Sequence, residues 1–247
     1  MGIDFSSRHP GPELLDQPDI PKEDLIQNLR ELEFINRWLG GHSALWKGVS
    51  SLWKPGMKMQ VVELGSGGGD NLDALFVRTQ GEIQGTGVDL KADCSEFAKL
   101  NRSEKLTFLT QDYRHFVSSP DTPTLYVTSL FCHHFSKSEL ISMFSWLRDR
   151  ATAGFVIADL HRHPVAYHAI RLLTRLFSTS YLVKHDAPLS VLRGFRRAEL
   201  VEILQLAGIS SYTIRWVWAF RWVIVVPPQG DTMASGSQTS ANPSGRI

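Results

Sequence analysis

The sequence predicts an α/β protein. An open, seven-stranded, mostly parallel sheet ends in an antiparallel hairpin and is preceded by a helical cap. Three observations carry this. From residue 57 to about 207, strand-length apolar runs alternate with helix-length amphipathic runs, the pattern of βαβ units. The first apolar run passes into a glycine-rich turn, and the second closes on an acidic residue. Two aromatic-rich apolar segments then stand close together near the end of the chain.

Each element has its own warrant. Residues 1–20 are rich in Pro, Gly, Asp and Ser and read as an extended arm. Pro21 suits a first helical turn. Leu25, Leu29, Leu32, Ile35, Trp38 and Leu39 then recur at spacings of three and four, which predicts a helix over 22–39 that stops at Gly40-Gly41. A second helix is expected over 42–53, and Pro55-Gly56 breaks the chain before the sheet begins. Strands are expected near 59–64, 83–88, 106–109, 124–129 and 153–159, with helices near 70–79, 93–101, 136–149 and 196–207. Gly208 is a natural helix stop. Residues 212–218 and 221–226 form the hairpin, and the polar segment 227–247 reads as a disordered tail. The domains follow: arm and helical cap over 1–56, main domain over 57–226, tail over 227–247.

Between the fifth strand and the last helix lies an insertion, 161–195. Ile170, Leu172, Leu173, Leu176 and Phe177 give it an apolar face, while Arg171, Arg175 and Lys184 give it charge. It reads as a core or lid helix, with a lid over an apolar pocket as the functional form and a membrane-surface helix as the minor alternative.

Bulk properties narrow the field. The chain has 247 residues with 26 basic and 25 acidic side chains, so no general electrostatic attraction to nucleic acid is expected. Its two cysteines, Cys94 and Cys132, make neither a disulfide framework nor a zinc site, and no metal is expected. No signal peptide and no membrane-length apolar run is visible, so a cytoplasmic protein without membrane insertion is expected.

Residues 61–70 read Val-Val-Glu-Leu-Gly-Ser-Gly-Gly-Gly-Asp, and Asp89 stands twenty residues beyond Gly69. A glycine turn after a strand lets a ligand approach the backbone, and a carboxylate at the next strand end can accept hydrogen bonds from ribose hydroxyls. A dinucleotide fingerprint would need Gly or Ala at position 70, which is Asp, and there is no phosphate-loop motif. An acidic residue at the helix start is awkward for a pyrophosphate. A cationic sulfonium with an amino-acid tail fits better, with Glu63 placed to face its ammonium.

This segment resembles motif I of class I S-adenosylmethionine-dependent methyltransferases, and Gly87-Val88-Asp89-Leu90 resembles their second motif. Gln111-Asp112-Tyr113 is similar to the position that contacts the adenine amino group. Leu125–Leu130 followed by Phe131-Cys132-His133-His134-Phe135 looks like strand four and its loop, where many small-molecule methyltransferases carry a histidine pair. The resemblance spans roughly 57–226. It implies a Rossmann-like fold, S-adenosyl-L-methionine as cofactor, and Glu63, Gly65, Ser66, Gly67, Gly69, Asp89, Leu90, Asp112, Tyr113 and Ser129 as its contacts.

In open α/β sheets the reactive crevice lies beyond the carboxyl ends of the strands. Candidates for the acceptor chemistry are therefore His134 and His161, then His133, with Arg162 or Arg193 to hold an anionic group. Tyr167, His168 and His185 are weaker candidates. Asp159, His161 and His163 would share a face only if the fifth strand continued, which Pro164 opposes. The expected function is methyl transfer to an oxygen or carbon of a small apolar or aromatic, polyketide-like acceptor. RNA or protein methylation, or a non-catalytic cofactor-binding partner of a biosynthetic enzyme, are the alternatives. Position 129–132, Ser-Leu-Phe-Cys, lacks the Asn/Asp-Pro-Pro-Tyr pattern of adenine N-methylation. The acceptor's identity and association into a homodimer stay open.

Overall fold

The computed structural model describes residues 3–230. The expectation for a tail falls outside this range from residue 231 onward. Two helices, α1 (Lys22–Trp38) and α2 (Gly41–Leu52), lead into β1 (Met59–Leu64), α3 (Asp70–Arg78), β2 (Ile83–Asp89), α4 (Ala92–Asn101) and β3 (Thr107–Thr110). Then follow β4 (Thr124–Ser129), α5 (Lys137–Arg150), β5 (Phe155–Leu160), α6 (Pro164–Phe177), α7 (Tyr181–Arg193), α8 (Arg197–Leu206), β6 (Thr213–Val217) and β7 (Arg221–Val226). The seven strands lie in the order β3-β2-β1-β4-β5-β7-β6. All pairs are parallel except β5·β7 and β6·β7, so the expected closing hairpin is present. The order reverses between β1 and β4, and the crevice of such a sheet opens at that switch point.

The two faces of the sheet are set by strand parity. Val62, Leu64, Tyr126, Phe155, Ile157 and Ile224 pack against Leu140, Phe144 and Leu147 of α5 and Leu200 and Ile203 of α8. Their neighbours Val61, Leu125, Val127, Val156, Ala158 and Val223 pack on the other side against Leu45 and Val49 of α2 and Leu72 and Leu75 of α3. Strands buried on both faces explain why their sequences are nearly continuous apolar runs.

The two N-terminal helices play different parts. Helix α2 lies flat on the sheet, and a Cβ at Gly48 would stand 2.3 Å from Val156 Cγ1, so only glycine permits this approach. Helix α1 instead runs over the glycine turn. Its Leu25 and Leu29 cluster with Cys94 and Phe97 of α4, and Arg102 joins Glu33 of α1 to the Gly68 carbonyl at 2.7 Å.

The 161–195 segment is two helices, not one continuous apolar run. Ser178, Thr179 and Ser180 interrupt it, and Ser180 caps α7 through the Val183 amide. Its apolar face is divided too: Ile170 is half-buried, while Leu172, Leu173, Leu176 and Phe177 stay exposed. Glu31 of α1 tethers the break, accepting hydrogen bonds from the Thr179 and Ser180 amides at 3.0 Å and from the Ser178 hydroxyl. Partial burial raises the pKa of Glu31, but these donors lower it further, leaving it below its ordinary 4.5. A depressed folded-state pKa means that the tether stabilises the fold above that value and is lost as pH falls through the folded one. Glu31→Gln should therefore cost about 1–2 kcal/mol at neutral pH. Thermal midpoints of variant and wild type should converge in acid. A gap that stays constant into acid would mean the carboxylate charge contributes nothing.

Candidate active site

The glycine turn sits at the carboxyl end of β1. Gly65 has φ +65°, and a Cβ there would stand 2.2 Å from the Phe131 ring, so the position requires glycine on both grounds. Asp89, at the end of β2, holds the turn from across the crevice. Its Oδ2 accepts the Gly67 amide at 2.8 Å and its Oδ1 the Lys91 amide at 2.9 Å. Burial raises the pKa of Asp89, and these amides oppose that rise. Beside Asp89 lies a space of about 290 Å³ lined by Pro18, Ile20, Leu25, Leu90, Lys91, Ala92 and Asp93.

Several buried polar atoms around this turn have no hydrogen-bond partner among the described residues. They are Asn71 Oδ1 and Ser129 Oγ, and also both oxygens of Glu63, which face the Asn71 side chain and the Leu72 amide without forming a well-aligned bond. Burial, then the neighbouring Asp70 carboxylate, holds the Glu63 carboxyl well above the usual range. Such orphans are rare in native interiors and call for a ligand or ordered water. Ser66 is buried within the turn, while Leu90 is largely exposed at the mouth of the space. Asp112 caps a 3₁₀ turn at Tyr113–His115 and pairs with Arg114. Tyr113 packs edge-on to Phe131.

A second, larger cavity of about 320 Å³ lies beyond the ends of β4 and β5. Leu32 and Ile35 of α1, Leu39 just after it, and Ala166, Ala169, Ile170 and Leu173 of α6 line it. Val183 and Val191 of α7 and Trp218 to Arg221 of the hairpin close it. Leu130, in left-handed backbone at φ +53°, also lines it. The turn from Ser129 to His134 thus links the glycine crevice to this cavity.

The polar end of the cavity is built by His133, His134 and Glu13. His133 is 2% exposed, and its Nδ1 meets Asp159 Oδ1 at 2.8 Å. Burial lowers its pKa, but Asp159 and Glu13 prevail and push it up to about 10. His134 Nδ1 meets Asp16 Oδ1 at 2.8 Å. Arg193 donates to the carbonyls of His133, His134 and Gly11, and Arg8 donates to that of His133. These two arginines fix the histidine turn through its backbone. Arg221, 3% exposed, also borders the cavity, and its Nε and Nη1 have no partner among the described residues.

The other candidates lie apart. His161 accepts a hydrogen bond from Trp216 Nε1 at 3.2 Å and is not among the residues lining the cavity. Arg162 is buried, pairs with Glu199 at 2.7 Å and binds the carbonyls of Phe5, Ser6 and Gly194, so it anchors the arm. Asp159, His161 and His163 do not converge: Asp159 turns to His133, and His163 caps α6 through the Val165 amide.

Glu13 and Asp16 are the site residues that the sequence does not announce. Both come from the arm, in a 3₁₀ turn at Leu14–Asp16. Asp186 of α7 seats that turn by accepting the Leu14 and Leu15 amides at 2.9 Å each. The one available signal was an apolar pair between two carboxylates, Glu-Leu-Leu-Asp, in an arm rich in Pro, Gly, Asp and Ser.

Comparison with solved structures bears on this arrangement. Human N-acetylserotonin methyltransferase in complex with SAM superposes with a TM-score of 0.60 at 17% identity, over 84% of this chain and 56% of that one. The chain has the fold of the S-adenosylmethionine-dependent methyltransferases. It spans just over half the length of the human enzyme. The plantazolicin methyltransferase BpumL, with a monoazolic desmethylPZN analog and SAH, gives 0.59 at 14% identity, over 84% of this chain and 90% of that one. A SAM-dependent methyltransferase from Aquifex aeolicus gives 0.55 at 17% identity, over 84% and 98%. No protein-family model and no curated protein matches the sequence. Among the described residues, no helix is long and apolar enough to cross a membrane.

Proposed function

We propose that the protein transfers a methyl group from S-adenosylmethionine to an oxygen or carbon of a small apolar or aromatic acceptor. The carrying observation is the adjacency of two sites at one sheet edge. A glycine turn clamped by Asp89 and bordered by orphaned polar atoms lies one short turn away from a largely apolar, partly open cavity. S-adenosylmethionine would be held by Asp89 at its ribose, by Leu90, Asp112 and Tyr113 at its adenine, and by Gly65, Ser66, Gly67, Gly69 and Ser129 toward its tail. A sulfonium and an ammonium supply the positive charge that the buried Glu63 lacks. The partnerless donors of Arg221 suit a carboxylate on either ligand.

The acceptor fills the cavity between α1 and the α6–α7 pair, which acts as its lid. Methyl transfer is an in-line displacement, so the protein's first task is to hold the acceptor in line with the methyl group. Its second is to stabilise the acceptor's oxygen as it attacks, a role that His133 and His134 suit because they line the cavity's polar end. The solved neighbours named for N-acetylserotonin and plantazolicin support an acceptor of this general kind. The test is incubation with methyl-labelled S-adenosylmethionine and a panel of phenols and enolic polyketides. Label in an organic product is expected. Binding of NAD in preference to S-adenosylmethionine would overturn the reading.

A further inference from the structure

We propose that Glu13, His133 and His134 bind a divalent transition-metal ion of the zinc class at the polar end of the acceptor cavity. Their donor atoms all lie within 4.8 Å of one another. Glu13 presents one oxygen to each imidazole: Oε1 stands 3.4 Å from His133 Nε2 and Oε2 stands 3.8 Å from His134 Nε2. Both separations exceed the usual N–H···O range of about 2.7–3.2 Å. They suit two ligands sharing one ion, since donors about 2.1 Å from a tetrahedral centre stand roughly 3.4 Å apart.

The orientation of the rings is an independent observation. Each histidine gives its Nδ1 to a carboxylate at 2.8 Å, His133 to Asp159 and His134 to Asp16. That contact turns each Nε2 toward Glu13. A carboxylate behind each ligating histidine is also the usual support of such metal sites.

Two imidazoles and one carboxylate suit Zn²⁺, Co²⁺, Mn²⁺ or Fe²⁺ over Ca²⁺ or Mg²⁺, which prefer all-oxygen sites. Three protein ligands leave coordination positions directed into the cavity that these residues line. An acceptor with a phenolic or enolic oxygen fits there, its oxygen held by the ion. This acceptor role rests on the function proposed above; the binding of the ion does not.

The full-length protein, dialysed against a chelator, is titrated with Co²⁺ and followed by visible absorption and calorimetry, with S-adenosylmethionine affinity measured on the same samples. One equivalent with a tetrahedral or five-coordinate spectrum is expected. Glu13→Gln and His134→Ala should abolish that spectrum while circular dichroism stays native. Asp16→Asn should weaken Co²⁺ binding by about 10- to 100-fold. No Co²⁺ spectrum in the folded wild type, or an unchanged spectrum in both ligand variants, overturns the site. Loss of S-adenosylmethionine binding with Co²⁺ binding intact overturns the methyltransferase reading alone. Methyl transfer that survives complete removal of a metal shown to bind here overturns the acceptor role.

Discussion

Replacing Asp89 with alanine should weaken S-adenosylmethionine binding by about 1.5–3 kcal/mol, roughly 10- to 150-fold in Kd. Two losses combine in that figure. A ribose loses its carboxylate acceptor, and the Gly67 and Lys91 amides, each bonded to Asp89 at under 3 Å, lose the group that shapes the turn. Asp89→Asn separates them, because its single amide oxygen can retain one backbone bond while it serves a ribose less well. Its affinity should fall between wild type and Asp89→Ala. Calorimetry that finds Asp89→Ala as tight as wild type would remove the cofactor from this crevice.

Replacing His134 with alanine should lower kcat by about 10²-fold or more, the range for loss of a group that acts on the reacting oxygen. Cofactor affinity should be preserved, since His134 lines the acceptor cavity and not the glycine crevice. His161→Ala is the control. It too follows a strand end in sequence, but it engages Trp216 outside the cavity lining, so kcat should stay close to wild type. Equal defects in the two variants, or none in His134→Ala, would show that the histidine turn does not act on the acceptor.

The contrast between these histidines shows what was legible in the sequence. The glycine turn, Asp89 and the histidine pair were readable because each is local: a strand, a turn and a polar residue follow one another within a few positions. The mostly parallel sheet and its closing hairpin followed from the same alternation of elements, whereas the strand order emerged only from the structure. Position along the chain did not separate His134 from His161, because both follow strands and only packing decides which side chain enters the cavity. Arg162 looked available for a ligand until its carbonyl partners on the arm and its pairing with Glu199 came into view. Glu13 and Asp16 were hidden for a stronger reason. Their partners lie about 120 residues away, and no local periodicity encodes a contact of that separation.

The seating of the Leu14–Asp16 turn on Asp186 divides the molecule into two units of unequal robustness. The sheet and its flanking helices are held by a continuous apolar core, while the arm is held by a few polar clasps at carbonyls and amides. Segments of the second kind open at a small fraction of the global unfolding free energy. Contacts so distant in sequence are also closed late as a chain folds. Competence at the acceptor end and integrity of the scaffold are therefore separate thresholds. Warming, mild denaturant or a nick in the arm would cross the first long before the second, leaving an intact fold with its carboxylates withdrawn from the histidine pair.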